Sequence, residues 1–100
     1  GIMPRFILLT KLSPTAMKDA KTREQIGREW FETVKEKCPE VHWIDHYALL
    51  GQYDFMDIYE APDEKTAVKV AMITMSKGAV KAESLPAIPY KEYLEVIKDL

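Results

Sequence analysis

Residues 41–61, VHWIDHYALLGQYDFMDIYEA, predict a β-hairpin at the centre of the chain. Both halves alternate between apolar and polar residues, which is the pattern of strands with two different faces. Gly51-Gln52 separates them, and a Gly-x pair favours a type II′ turn because glycine adopts the positive φ of the first turn position. The cross-strand pairs that this turn predicts are His46 with Asp57, Ala48 with Phe55, and Ile44 with Tyr59.

The segments on either side of the hairpin each predict an amphipathic helix. Before it, apolar residues recur every four positions behind a capping box at Thr22 and Gln25, and Pro39 ends the pattern. After it, Asp63 is suited to an N-cap and Gly78 to a C-terminal stop. The predicted apolar faces are Ile26, Trp30, Val34 and Cys38 in the first helix, and Ala67, Val68, Val70, Ala71, Met72 and Met75 in the second.

Two further strands and a last helix are predicted toward the ends of the chain. Residues 5–12, RFILLTKL, are a short run of strand-forming residues. Residues 79–88 predict a fourth strand, which Pro86 and Pro89 restrict to a sheet edge or a strand end because proline donates no hydrogen bond. The tail, residues 90–100, predicts a helix that we expect to dock on its own domain. Its apolar face consists of Tyr90, Tyr93, Leu94, Ile97 and Leu100.

The predicted element order, β-α-β-β-α-β plus a C-terminal helix, is that of a ferredoxin-like α+β sandwich. Two helices can cover only one face of its four-stranded sheet. Residues 6–9, FILL, are apolar without alternation, however, so both faces of the first strand should be buried. A second copy of the sheet is the simplest cover, and we therefore expect a homodimer with the architecture of a dimeric α+β barrel. We expect one domain over residues 4–100 and interpret Gly1 and Ile2 as a cloning remnant.

Composition and charge argue against several classes of function. The 100 residues include 14 Lys and Arg against 16 Asp and Glu, a net charge of −2, and no basic block. Binding to nucleic acid or to a membrane surface needs clustered positive charge, so neither partner is expected. The four glycines form no phosphate or dinucleotide loop, and no cofactor is expected. A single cysteine, no apolar run of about 20 residues and no visible signal peptide indicate a cytoplasmic protein.

The hairpin carries the candidate catalytic pair, His46 and Asp57. Directly opposed side chains have Cβ atoms about 4.5–5.5 Å apart, and a carboxylate at that distance orients an imidazole and raises its basicity. His46 is therefore the candidate general base and Asp57 its orienting group. The hairpin face with Trp43, Met56 and Ile58 is the more apolar through its middle, so we expect that face to pack on the helices. The opposite face is expected to line a space between two sheets, where the candidate ligand-binding residues are Tyr53, Phe55 and Tyr59.

Other interpretations of these residues stay open. A polar contact that sets strand register at an interface also explains the His46–Asp57 pair, and a slip of one residue moves His46 to the other face. His42 and His46 are about 13 Å apart along a strand, too far to bind one metal ion, so no metal site is expected within the chain. A site shared across a dimer axis is left open. Cys38, near a helix C-terminus, is interpreted as a buried inert thiol rather than a nucleophile.

The turn LGQYD, residues 50–54, resembles the Gly-x-Tyr-Asp signature of the GYD domain family. Similar family pattern occurs in PRFILLTKLSP, in YALLGQYDFMDIYEAPDEKTA, at Gly78 and in LPAI, residues 85–88, so the resemblance covers residues 4–89. It implies a small bacterial or archaeal protein whose ferredoxin-like fold is related to dimeric α+β barrels, and it supplies no catalytic residues. In this signature, Asp54 is expected to accept backbone N–H bonds around the turn.

Three functions are considered. The first is binding or conversion of a small organic molecule, with His46 as base, Asp57 as its orienting group and a tyrosine as oxyanion donor. Architectural relatives include cofactor-free enzymes, which is an argument from fold alone. The second is a non-catalytic homodimeric sensor or assembly module, with apolar side chains filling the gap between sheets. Nucleic-acid binding through the sheet is the least favoured, because the chain is acidic and lacks an aromatic-plus-basic pattern.

Overall fold

The computed structural model describes residues 3–100 and contains one four-stranded antiparallel sheet and three helices. The interpretation of Gly1 and Ile2 lies outside the described residues. In chain order the elements are β1 (Arg5–Leu12), α1 (Ala20–Lys37), β2 (His42–Ala48), β3 (Phe55–Glu60), α2 (Glu64–Ser76), β4 (Ala79–Ala87) and α3 (Tyr90–Ile97). The predicted element order and the α+β class are confirmed.

The strands lie in the order β2-β3-β1-β4, which places β1 and β3 in the centre. β4 is an edge strand, as predicted for a strand that contains Pro86. Proline is tolerated there because no further strand needs an N–H donor on the outer side of β4. None of the three helices combines the length and the apolarity needed to cross a membrane.

The hydrophobic core lies between one face of the sheet and the two helices α1 and α2. On β1 the side chains that point to this face are buried in strict alternation, and α1 and α2 contribute Val34 and Val70, which are fully buried. The central cluster consists of Phe6, Leu8, Cys38, Tyr59, Ala61, Ala67 and Val70. Cys38 is a free, buried thiol whose pKa is raised by burial, in agreement with its interpretation as an inert residue.

The prediction of which hairpin face packs on the helices is wrong. Asp57 and Tyr59 are 3% and 0% exposed beneath the helices, whereas Met56 and Ile58 lie on the opposite face, beside Leu9 and Ile7 of β1. The apolar content of the two hairpin faces does not decide which one is buried, because the polar atoms on the buried face have partners inside the domain. The Asp57 carboxylate contacts His46, and the Tyr59 hydroxyl forms a 2.7 Å hydrogen bond with Ser84 Oγ.

The predicted register of the hairpin is confirmed near the turn and is shifted farther from it. His46 pairs with Asp57 as expected, but a β-bulge between Trp43 and Asp45 places Trp43, rather than Ile44, opposite Tyr59. An inserted residue reverses the side-chain alternation beyond it. Trp43 and His46 therefore point to the same, helix-covered face of the sheet.

The hairpin loop is longer than the predicted two residues. Leu49 N–H donates to the Asp54 carbonyl at 2.8 Å, so residues 50–53 form the connection and the strands end earlier than predicted. Gly51 has a φ of +136°, a backbone conformation that L side chains rarely adopt. The prediction that the turn needs glycine at this position is confirmed, whereas the predicted two-residue type II′ turn is wrong.

The helix caps agree with prediction in α2 and not in α1. Asp63 Oδ1 accepts the Thr66 N–H at 2.8 Å, and Gly78, with a φ of +96°, follows the last turn of α2. α1 begins two residues before the predicted Thr22 cap, because the Asp19 carboxylate accepts the Thr22 N–H at 2.7 Å. Asp19 thus takes the N-cap role that was predicted for Thr22, and it satisfies one free N–H group of the first helical turn.

The predicted buried face of α2 is wrong at Val68, Met72 and Met75, which are exposed. The buried side of α2 is formed by Thr66, Ala67, Val70 and Thr74. Small residues allow α2 to lie close to the sheet. The buried threonine hydroxyls have acceptors within the domain, which makes their burial tolerable.

The expectation that the C-terminal helix docks on its own domain is also wrong. No Cα atom of α3 lies within 8 Å of a Cα atom in another described helix or strand, and none of its residues is buried. It lengthens the molecule, whose principal dimensions are 49 × 30 × 18 Å. The exposed apolar side chains of this tail include Tyr90, Tyr93, Leu94, Ile97 and Leu100.

Candidate functional site

A cavity of about 570 Å³ lies between α1 and the sheet. It exists because α1 stands away from the strands, with no Cα atom within 8 Å of a strand Cα, while α2 approaches β1 and β4 closely. Large side chains bridge the gap, and the Trp30 and Trp43 rings meet edge to face with centroids 5.3 Å apart. The aromatic residues that line the cavity are Trp30, Phe31, Trp43 and Phe55.

The His46–Asp57 pair lies in the cavity wall. His46 Nδ1 and Asp57 Oδ1 are 2.5 Å apart, and the carboxylate is almost completely buried while the imidazole is more than half exposed. The His46 ring stacks on Phe55 and on Trp30, with centroids 5.6 and 6.4 Å apart. These contacts and the Asp57 carboxylate restrain the ring, and Nε2 has no hydrogen-bond partner among residues 3–100.

The electrostatic state of Asp57 follows from its burial. Burial raises the pKa of this carboxyl, and the charge and hydrogen bond of His46 act in the opposite direction without cancelling the effect. A buried carboxylate with one histidine partner is a common way to orient an imidazole for proton transfer, and equally a common polar contact in a fold. The predicted pairing is confirmed, whereas its chemical role stays a prediction.

The structure divides the predicted site residues into two groups. His46, Asp57 and Phe55 line the cavity together. Tyr59 lies in the core instead, where burial raises the pKa of its hydroxyl to about 12. Tyr53 donates to Glu83 Oε2 at 2.9 Å. Three of the five candidates therefore meet, beneath the helices rather than between two sheets.

Sequence reasoning missed most of the aromatic lining. Trp30 and Trp43 had the spacing of core residues, and a core interpretation is usually sufficient for such positions. A signal was present on α1, where Arg23 and Gly27 fall on the same helical face as Trp30. An arginine and a glycine on an otherwise apolar face indicate a helix that is not packed tightly along its whole length.

The two tryptophans differ in how their indole nitrogens are satisfied. Trp30 Nε1 donates to Thr74 Oγ1 of α2 at 2.9 Å, which ties α1 to α2 above the cavity. Trp43 Nε1 is buried and has no partner among the described residues. Trp43 thus stays in place through its contacts with Trp30, Phe31 and Tyr59 rather than through a hydrogen bond.

The Gly-x-Tyr-Asp signature has a structural function outside this cavity. Asp54 Oδ2 accepts the Leu12 N–H of β1 at 2.8 Å, and Asp54 N–H donates to the Thr10 carbonyl at the same distance. Tyr53 reaches across to Glu83 of β4. The prediction that Asp54 accepts a backbone N–H is confirmed, but the donor belongs to the neighbouring strand. The signature therefore fastens the hairpin loop to the rest of the sheet.

The histidines are separated by the bulge in β2. His42 lies 3.6 Å from Glu60 Oε1, on the sheet face opposite His46. Within residues 3–100, no group of three or more His, Cys, Asp or Glu side chains is arranged to hold a metal ion. His42 and His46 of one chain thus do not meet at a common site.

The fold, the signature loop and the sequence together define a small α+β domain of known type. Residues 6–97 match the family model of the GYD domain, and the chain belongs to the GYD domain family. The family identified from the LGQYD turn is thereby confirmed.

Proteins similar to this chain include a relative from Thermus thermophilus and a protein of known structure. The glutamine synthetase and cystathionine beta-lyase binding protein of Thermus thermophilus is 31% identical over 100 residues, covering 96% of this chain and all of that protein. The crystal structure of MtbAldR has a TM-score of 0.62 at 18% identity and covers 87% of this chain. The chain spans 54% of that second protein. At this identity the likeness shows the ferredoxin-like fold alone.

Proposed function

We propose that this protein binds a small organic molecule in the cavity between α1 and the sheet. The observation that carries the proposal is a space of about 570 Å³ walled by four aromatic rings beside a buried carboxylate–histidine pair. Ligand sites in proteins have volumes of about 300–1,000 Å³, apolar walls and a few convergent polar groups. The proposal keeps the predicted class of ligand and moves its site from a gap between two sheets to the space beneath α1.

His46 is the group that contacts the bound molecule in this proposal. With Nδ1 directed at Asp57, Nε2 is left to accept a hydrogen bond or a proton from the ligand. Asp57 is a positioning residue that holds the ring, and Phe55 supplies part of the apolar wall. Tyr53 and Tyr59 do not line the cavity, so their predicted ligand contacts have no support in this arrangement.

Filling the cavity tests the proposal directly. A Cβ atom added at Gly27, which lines the cavity from α1, meets no heavy atom within 4 Å. A Gly27→Phe variant should therefore fold and occupy the space. Glu32→Phe, which introduces the same side chain at an exposed position of α1 outside the cavity, is the matched control.

The measurement is ligand-observed NMR with a panel of small ring compounds, both neutral and charged. Compounds from the panel should bind the wild-type chain and Glu32→Phe, and binding should be lost in Gly27→Phe. The proposal is overturned if no compound binds, or if every bound compound binds Gly27→Phe as well as it binds the wild-type chain.

A second candidate function is an assembly module that binds a protein partner, in the first place another copy of this chain. The Thermus relative is named for binding two proteins, and the sheet face opposite the helices carries an apolar centre with charged residues of both signs around it. A self-complementary patch of this kind suits a two-fold homodimer. We call this surface the open sheet face, and its central residues are Ile7, Leu9, Met56, Ile58 and Leu85.

A further inference from the structure

We propose that the cavity selects an elongated carboxylate: a ring-containing molecule whose acid group lies between Arg23 and Lys77 and whose opposite end gives a hydrogen bond to His46. The inference rests on the proposed function, because it names the class of ligand for the same cavity. It follows from the unequal distribution of charged groups between the two ends of the cavity.

One end of the cavity is basic. Arg23 of α1 and Lys77, the C-cap of α2, both line it, and neither has an ion-pair partner among the described residues. The C-terminus of α2 lies against α1 here, since a Cβ atom at Gly78 would be 3.4 Å from Ile26 Cγ2. Arg28, by contrast, is paired with Glu24 at 3.1 Å. Arg23 and Lys77 are thus the cations left for a ligand.

The other end is acidic and contains an acceptor. His46 Nε2 is without a partner among the described residues, and Asp57 lies behind the ring. Asp45, one residue before His46, pairs with Ile58, so its side chain belongs to the opposite face of the sheet. The Asp57 carboxylate disfavours a second negative charge here, so an anionic ligand is directed to the Arg23–Lys77 end. An unprotonated Nε2 accepts a hydrogen bond, so the ligand should present a hydroxyl or N–H group at this end.

The separation of the two ends limits the length of the ligand. Arg23 precedes Trp30, which stacks on His46, by seven helical residues, a rise of roughly 10 Å. Along β1, Leu8 pairs with Asp57 and Leu12 lines the basic end, and four strand residues extend over roughly 13 Å. The aromatic walls lie between these ends. A flat ring with an acid group on one side and a donor on the other fits this span.

The experiment compares 4-hydroxycinnamate with its neutral amide, 4-hydroxycinnamamide, by isothermal titration calorimetry at pH 7.5. The two probes have nearly the same shape and differ in charge. The wild-type chain should bind the carboxylate about tenfold more tightly, because charge-assisted hydrogen bonds to Arg and Lys contribute more than neutral ones. In the double variant Arg23→Gln/Lys77→Gln the two affinities should become equal.

A matched control carries the same change in net charge outside the cavity. Lys21→Gln/Lys91→Gln should retain the preference for the carboxylate, since both lysines are exposed and neither lines the cavity. Equal binding of the two probes to the wild-type chain, lost in Gly27→Phe, would overturn the carboxylate inference and leave the proposed function standing. A preference that survives in Arg23→Gln/Lys77→Gln would also overturn it. Absence of binding by both probes and by the whole ring-compound panel would overturn both proposals.

Discussion

Asp54 shows how a signature residue serves the fold rather than a reaction. Its carboxylate accepts the Leu12 N–H from a neighbouring strand, next to the place where the β1–β4 register shifts between Lys11 and Leu12. The Leu12 N–H faces the β3 side of β1, where the ladder between these two strands ends at Thr10 and Phe55. Asp54 replaces the missing acceptor, and Gly51 lets the loop turn back toward β1.

Replacing Asp54 with Ala should lower the free energy of unfolding by about 1–3 kcal/mol, because a partly buried N–H loses its acceptor. Urea unfolding followed by circular dichroism measures the change. Gln52→Ala, in the same loop and exposed, is the control and should change stability by less than about 0.5 kcal/mol. Equal stability of Asp54→Ala and Gln52→Ala would show that the signature is not a structural fastening.

The titration of Asp57 gives a prediction with a definite sign. Burial raises the pKa of Asp57 in the folded protein, so the folded state holds this proton more tightly than the unfolded chain. The resulting stability is fully present below the ordinary aspartate pKa of about 3.9 and is lost as pH rises through the higher native value. Asp57→Asn does not titrate at this position.

The stability of the wild-type chain relative to Asp57→Asn should therefore decrease between pH 3.5 and pH 7, as measured by urea unfolding at several pH values. Asp99→Asn, on the exposed C-terminal tail, is the control for the removal of one negative charge. A relative stability that rises over this range would mean that the attraction of His46 outweighs the cost of burying Asp57.

At the scale of the elements, the bulge in β2 decides the composition of the site. The shift between Trp43 and Asp45 brings Trp43 to the face that carries His46, where it closes the cavity against Trp30 of α1. Without the extra residue, Trp43 would point to the open sheet face and the cavity would lack one wall. Alternation alone could not reveal this, because a bulge adds one residue without a distinctive composition at this position.

Gly27 of α1 occupies a position where the helix does not need a glycine. Gly27 has an ordinary helical environment, and a Cβ there meets nothing within 4 Å. Gly27→Ala should stabilise the protein by about 0.5–1 kcal/mol, since glycine loses more conformational freedom than alanine in a helix. Thermal unfolding measures the gain. A decrease in Tm would show that the residue is needed for a close contact, in conflict with an open cavity next to α1.

The helix ends show how far local rules extend. Asp63 and Gly78 are correct as the cap and stop of α2, because both act through hydrogen bonds or dihedral angles within a few residues. The α1 cap is displaced because Asp19 and Thr22 are both competent N-caps and the chain uses the earlier one. The exposure of Val68, Met72 and Met75, unlike the caps, is not set by local rules. It depends on which side of α2 lies on the sheet.

At the scale of the whole molecule, two apolar surfaces have no cover within the described part of the domain. The open sheet face has Ile58 at its centre, and α3 carries an apolar side while its backbone lies away from every other described helix and strand. An isolated helix of eight residues is only marginally stable in water, so α3 gains from packing against a partner. Both surfaces favour the homodimer that the apolar first strand predicts.

Ile58→Lys should shift the protein from dimer to monomer in light scattering coupled to size-exclusion chromatography, since a lysine at the centre of the open sheet face would be buried without a counter-charge. Met72→Lys, an exposed position of α2 on the helical side, is the matched control and should remain a dimer. A wild-type chain that elutes as a monomer at every concentration would contradict self-association. A dimer formed equally by Ile58→Lys would place the contact elsewhere, with α3 the next surface to alter.

Much of the fold was predictable because its signals are local. The order of strands and helices, the His46–Asp57 register and the glycine turn all depend on spacing within about a dozen residues. The family was accessible for the same reason, since the LGQYD turn is one continuous segment. Of the candidate site, the pair His46–Asp57 and its neighbour Phe55 were found on the hairpin alone.

The remaining features depend on contacts between distant segments. The sequence by itself determined the α+β class, the hairpin pairing and the family, because hydrophobic periodicity and turn chemistry act within each element. Only the tertiary structure decided that Asp57 and Tyr59 face the helices, since their burial requires His46 and Ser84 as partners. It also decided that α1 stands away from the sheet and leaves a cavity there. A gap between two elements is a property of how both pack, and neither segment encodes it separately.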